Sequence, residues 1–336
     1  MTDPEGQPAI SQPAPPNRKN TILRLAGSLV AAGLLIFWLA QNWAEVSSAF
    51  QKVGWDGFVL ALGLTLASRF STVGRWHTLL RSADVPIRPL QSIELTFAGL
   101  FAANFLPTTV GGDLVRFAGG VKWGFDAAVV AASLVADRLV GMAGMATALP
   151  LGLFQVLRTP LPAAGSGSAW LATGIMPVWL RKAANWGGKL LGKLWVSLLH
   201  ALRLWLARPK SLLLAYLFTW GHMLCVFLSV SILFNRMGES IPFWLVAGCW
   251  ALSYFPTLLP VSINGLGVQE LTLTFFFVQY GGVALPSALA MAALMRLLPA
   301  MASLPGAFFV PGLLANDGMK TKRFTTETQS PRVKSK

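Results

Sequence analysis

Six charged residues lie in or beside long apolar runs of the 336-residue chain: Asp113, Arg116, Asp137, Arg138, Glu270 and Arg296. A charge deep in a bilayer costs several kcal/mol on most scales, about 2.5–3.5 by insertion measurements, so each needs a reason to be there. Three acids against three bases point to pairing rather than to net charge. Arginine is suited to phosphate, because its guanidinium is always charged and presents donors in a fixed fork. Asp113 and Glu270 could hold such arginines when no ligand is bound, or could meet a cationic group. The chemistry on offer is recognition of a polar, charged group inside a membrane.

Two segments carry this chemistry in a similar frame. The first, LPTTVGGDLVR, runs from Leu106 to Arg116, and the second, LPVSINGLGVQE, from Leu259 to Glu270. Each begins Leu-Pro, continues through small polar residues, contains two glycines and ends near an acid. Pro107 and Pro260 remove a backbone donor and disfavour helix before them. Gly111 and Gly112, like Gly265 and Gly267, permit positive φ or a close backbone approach. Asn264 adds a side chain that both donates and accepts. Asp113 and Arg116 share one face if a helix starts there. Arg138 follows Asp113 by 25 residues and Arg296 follows Glu270 by 26, each arginine in an otherwise apolar helix. Interrupted helices in corresponding places of two halves mark the central site of many transporters. The pattern predicts a diverged internal repeat, although the spacing from proline to acid differs, 6 residues against 10.

The elements that position these residues follow from composition. Apolar residues make up 54% of the chain and charged ones 12%, about half of the ~25% usual in a soluble domain. That excludes a soluble enzyme, a disordered chain and a disulfide scaffold, and leaves an integral membrane protein. The net charge of +14 is clustered, with seven Lys and Arg and no acid in residues 181–210. Basic clusters between apolar runs indicate cytoplasmic loops, not a nucleic-acid site, and place both termini in the cytoplasm. Cys225 and Cys249 fall in apolar runs, and His77, His200 and His222 are scattered, so no metal motif forms and no metal or cofactor is expected.

A crossing helix needs about 20 apolar residues. Apolar stretches run over 22–43, 56–75, 92–106, 127–156, 168–180, 211–235, 241–261, 268–284 and 287–314. Basic loops at 75–88 and 181–210 require an even number of crossings between them, yet three candidates lie there. Either 168–180 is interfacial or the stretch ending at Pro107 is re-entrant. The expected fold is therefore all-α and polytopic, with about eight crossings and broken segments. Residues 1–20 and 317–336 are expected as cytoplasmic tails around a membrane domain at 21–316. Within it, 185–208 reads as an interfacial helix: Lys189, Lys193, His200 and Arg203 fall within about 80° of one face, opposite leucines and tryptophans.

The run NFLPTTVGGDLVR (Asn104 to Arg116), SLVADRLVGM (Ser133 to Met142), PVSINGLGVQE and the later Leu304-Pro305-Gly306 resemble the lysylphosphatidylglycerol synthase transmembrane-region family. That is the flippase-like domain of bacterial multiple peptide resistance factors. The resemblance implies a multi-pass protein of the bacterial inner membrane that moves a polar-headed lipid between leaflets. Its partner would be an anionic or zwitterionic phospholipid, and the chain would not be an enzyme. Fused members carry a following aminoacyl-transferase domain. This sequence ends at Lys336 without one, so aminoacyl transfer is not expected. The alternative is a membrane-embedded enzyme or an accessory subunit of lipid modification or lipid-linked glycosylation.

Overall fold

The computed structural model describes residues 33, 36–37, 40–105, 111–158, 208–257 and 267–314. Pro107, Pro260, Asn264 and Gly265, the stretch 168–180, and all of 185–208 except Arg208 lie outside them. The described residues form helices and no strand. In chain order these are α1 (Trp43–Ser82), α2 (Pro89–Phe105), α3 (Gly111–Lys122), α4 (Ala127–Arg158), α5 (Pro209–Met237), α6 (Phe243–Thr257), α7 (Val268–Gln279) and α8 (Leu285–Ser303). A 3-10 turn (Leu304–Phe308) and α9 (Val310–Leu314) follow. The expected all-α bundle is what the chain forms.

Four helices are long and apolar enough to cross a membrane: α1, α4, α5 and the 24-residue stretch Leu285–Phe308. The last is the most central, with 61% of its apolar window buried against 28% for α1 and for α4. Local signals set the ends. Proline opens α5, and Gly238, left-handed at φ 90°, closes it. Gly54, at φ 66°, breaks α1, so the expected apolar span 56–75 is only the later part of a 40-residue element.

The four shorter helices pair into two hairpins. In the first, Gly99 of α2 faces Gly112 of α3, and Leu95 faces Gly119. In the second, Ser253 of α6 and Thr272 of α7 exchange hydroxyl-to-carbonyl hydrogen bonds (3.5 and 3.3 Å), and Cys249 lies against the Phe276 carbonyl. In each pair the two arms are joined through a Leu-Pro…Gly stretch of sequence. Among the described residues each arm has 17 residues or fewer, against 24 to 40 for the four long helices. α2 thus packs back against α3, while 168–180, the other stretch in question, lies outside the described residues.

The order long helix, hairpin, long helix occurs twice, as α1–α4 and as α5–α8. Corresponding helices α1 and α5 run antiparallel: Ala61 meets Ser229, Ser68 meets His222, and Gly74 meets Phe218. Contacts also exchange between halves. α4 crosses α6 where a side chain on Gly152 would sit 2.5 Å from the Gly248 carbonyl. The 3-10 turn after α8 crosses α2 where one on Gly306 would strike the Phe97 carbonyl. Antiparallel partners and exchanged contacts are what an inverted repeat produces.

Outside the spanning helices, Arg208 donates to both carboxylate oxygens of Asp84 (2.6 and 3.1 Å) and to the Ser82 carbonyl, tying the α1–α2 loop to the start of α5. These hydrogen bonds hold the Asp84 carboxyl below its ordinary value of 3.8. A depressed carboxyl contributes above its unfolded pKa and lets go as pH falls through the folded one. The clamp should persist at neutral and mildly acidic pH and release below 3.8. A 13C-carboxyl titration of Asp84 would follow this, and Arg208→Ala should return the transition to the ordinary range. At the crossings, Gly248→Val should cost about 1–3 kcal/mol or more by overpacking, seen as a lower unfolding temperature in detergent. Gly63→Ala, with nothing within 4 Å of the added carbon, should not.

Candidate functional site

Asp113 is the third residue of α3, beyond the glycines that begin it, and Arg116 stands one turn on. Arg116 Nη1 donates to Asp113 Oδ1 at 3.2 Å and to Asp137 Oδ2 of α4 at 3.1 Å. Arg138 Nε reaches the other oxygen of Asp113 at 2.5 Å. Arg75 Nε of α1 takes the other oxygen of Asp137 at 2.6 Å, and its Nη1 lies 3.4 Å from Thr219 of α5. Every oxygen of both aspartates thus accepts from a guanidinium. Burial makes this necessary, because Asp137 and Arg116 are 3% and 6% exposed.

The aromatic wall is fixed too. The Arg116 guanidinium lies 4.1 Å from the centre of the Trp76 ring, and Trp76 donates its indole N–H to Ser133 at 3.1 Å. This cation–π contact sets the plane of the fork.

Three arginines against two aspartates leave the cluster with one excess positive charge. Its donors are also incompletely used. Arg116 Nε and Nη2 are buried and meet no acceptor among the described residues, and neither does the Thr96 hydroxyl. Arg116 and Thr96 are among the residues that line a cavity of about 120 Å³, with Gly99, Gly112, Asp113 and Arg138. A single water needs about 10–15 Å³, so a tetrahedral oxyanion has room. Glycines at 99 and 112 bring the two hairpin arms together there, since a side chain on either would meet the opposite carbonyl at 2.6 Å.

The second expected group gathers differently. Glu270 is the third residue of α7, as Asp113 is of α3, and Gly267 at φ 77° begins that helix. Arg296 Nε approaches Glu270 Oε1 at 3.7 Å, so this acid–arginine pairing across 26 residues parallels Asp113–Arg138. The two groups share no ion pair among the described residues.

Asp137 and Arg138, adjacent in sequence, both reach α3, Asp137 through Arg116 and Arg138 through Asp113, and Asp137 also meets Arg75 of α1. One sequence reading changes. Arg75 was assigned to the basic loop at 75–88, yet its side chain is 11% exposed and holds the innermost aspartate. Its place at the margin of an apolar run concealed it, although Arg69, six residues earlier, signals a polar stripe on α1.

These features define a polytopic, all-α membrane protein with two broken-helix hairpins and a buried arginine–aspartate cluster beside one of them. The model of the family described as lysylphosphatidylglycerol synthase TM region matches residues 24–306. The chain belongs to that family. No curated protein and no solved structure matches it.

Removing Asp137 would leave Arg75 and Arg116 without their bridging carboxylate. Asp137→Ala should destabilise the protein by about 3–5 kcal/mol, the cost of orphaning a buried charge. Asp113→Ala should cost less, because Arg138 is half exposed and can turn to water. Thermal unfolding in one detergent would rank the two.

Proposed function

We propose that the protein is a lipid translocator of the bacterial inner membrane, with both termini cytoplasmic. Its residues 21–316 would form the transporting unit, between tails at 1–20 and 317–336. The cargo is a phospholipid or similar lipid whose phosphate is taken up beside Arg116. The observation that carries this reading is that Arg116 and Thr96, which line the cavity, hold unused buried donors in a cluster of net positive charge. Phosphate oxygens satisfy such donors, and a guanidinium does so without changing its own charge. The repeated hairpins also favour transport, since inverted halves are a common frame of transporters that open to either side. Family membership supports a role connected with membrane lipid.

The physical task fits. A headgroup that crosses the apolar core must shed water, while its acyl chains stay in lipid. A groove that offers paired charges lowers that cost, and Asp113 and Asp137 hold the arginines in place between loads. Arg138, at the outer side of the cluster, would make the first contact with an arriving phosphate.

Reconstitution tests this reading. Proteoliposomes carrying fluorescent anionic or zwitterionic phospholipid should exchange label between leaflets faster than empty vesicles. Arg116→Ala should slow exchange by about tenfold to a hundredfold, the worth of one or two hydrogen bonds to a charged group. Arg88→Ala, on the exposed α1–α2 loop, should leave it unchanged. Vesicles that exchange no headgroup above background would remove the proposal.

A further inference from the structure

The two halves carry the same scaffold but differ in charge. Three residues after Asp113 stands Arg116, whereas three after Glu270 stands Leu273. One residue before Arg138 stands Asp137, whereas one before Arg296 stands Met295. Leu273 and Met295 both belong to the buried apolar core that includes Leu271, Leu294 and Leu298. Glu270 has kept its acid–arginine pairing and lost the rest of the cluster.

The consequence falls on one oxygen. Glu270 is 4% exposed, and its Oε2 is buried with no hydrogen-bond partner among the described residues. The hydroxyl of Thr274, one turn along α7, is likewise buried and unmatched. A fixed carboxylate in such a place would be expected to show what Asp113 and Asp137 show, a donor on each oxygen. A carboxylic acid has different needs, because protonation of Oε2 removes the charge and supplies its own donor. The ionised form is not abandoned either. Arg296 stands 3.7 Å from Oε1, and the first turn of a helix favours a negative group. Both forms are therefore supported, neither strongly.

We propose that Glu270 is the proton-binding site of the translocator, so that lipid movement is coupled to a proton gradient. The step is an O–H bond formed at Oε2 by a proton from water on one side, with the carboxylate passing from −1 to neutral. The same bond breaks to the other side as the hairpin turns. No oxidant, nucleotide or metal is needed. The groups that face this site are few. Arg296 of α8 is the base in ion-pair contact. α6 packs on α7 with Cys249 against the Phe276 carbonyl, more than a turn beyond Glu270, while Tyr254 has Arg75 and Arg138 as its charged neighbours. α5 meets α7 at Phe234 and Phe277, and its nearby Arg236 is paired with Asp56 of α1. Within α7 no other side chain titrates. This inference rests on the translocator reading above.

The experiment uses full-length protein in liposomes of phosphatidylglycerol and phosphatidylethanolamine, with a trace of fluorescent phosphatidylglycerol and a pH-sensitive dye inside. With one proton per lipid, a gradient of one pH unit should drive the tracer to about tenfold asymmetry between leaflets. Glu270→Gln mimics the neutral form. It should still exchange tracer but end with equal leaflets, and should carry no protons. Equal leaflets in the wild type, or persistent gradient-driven asymmetry in the glutamine variant, would overturn the proposal. If the wild type moves no lipid at all, the translocator reading fails instead. The proton site is then decided by pH-difference infrared spectroscopy: a carboxylic-acid C=O band lost in Glu270→Gln upholds it, and its absence sinks it. Should the glutamine variant not fold, Glu270→Asp keeps a carboxyl, and must shift that band and retain asymmetry.

Discussion

The carboxylate of Asp137 governs the first half of the molecule. It lies where water does not reach, so it can exist as an anion only with guanidinium groups on both oxygens. Those groups come from two other helices, Arg75 from α1 and Arg116 from α3. One carboxylate therefore fixes the mutual positions of a long crossing helix, a hairpin arm and its own helix α4. Trp76 completes the setting, since its position beside Arg75 places its ring over the next arginine. This polar contact anchors α3, one arm of the first hairpin, to α1 and α4.

The repeat gives a frame in which the differences between halves become informative. Helix order, hairpin position, the acid at the third residue of an arm and an arginine in the following helix all recur. Charge density does not recur: it concentrates beside α3 and thins out beside α7. Dry apolar packing takes its place in the second half, with Phe275, Phe276 and Phe277 all buried. One half is built around an ionic lattice and the other around a hydrophobic core, beside which Glu270 pairs with Arg296.

Much of this was legible in the sequence because its causes are local. The Leu-Pro…Gly breaks, the acids beyond them and the paired arginines about 25 residues later are determined by backbone chemistry and the length of a helix. Arg75 was not legible, since a basic residue at the end of an apolar run has the same appearance whether it faces the cytoplasm or a buried aspartate. Nor was the division of labour between Asp137 and Arg138, which depends on which neighbour each helix face meets. The crossings at Gly152, Gly248 and Gly306 were hidden for another reason. Among 32 glycines, sequence gives no means of telling a close approach from a turn.

Those crossings set the order in which the molecule can be completed. The α2 arm is among the first parts made, but Phe97 and Asn104 lie against Gly306 and Ser303, and Asn104 bonds to Ser303 across 199 residues of chain. The α4 helix waits in the same way for Gly248. During synthesis the early hairpin must therefore stand beside the translocating chain with one flank bare, its ion cluster formed and its final neighbour unmade. The arginine–aspartate lattice, assembled wholly from residues 75 to 138, can hold the nascent half together until the last helix arrives.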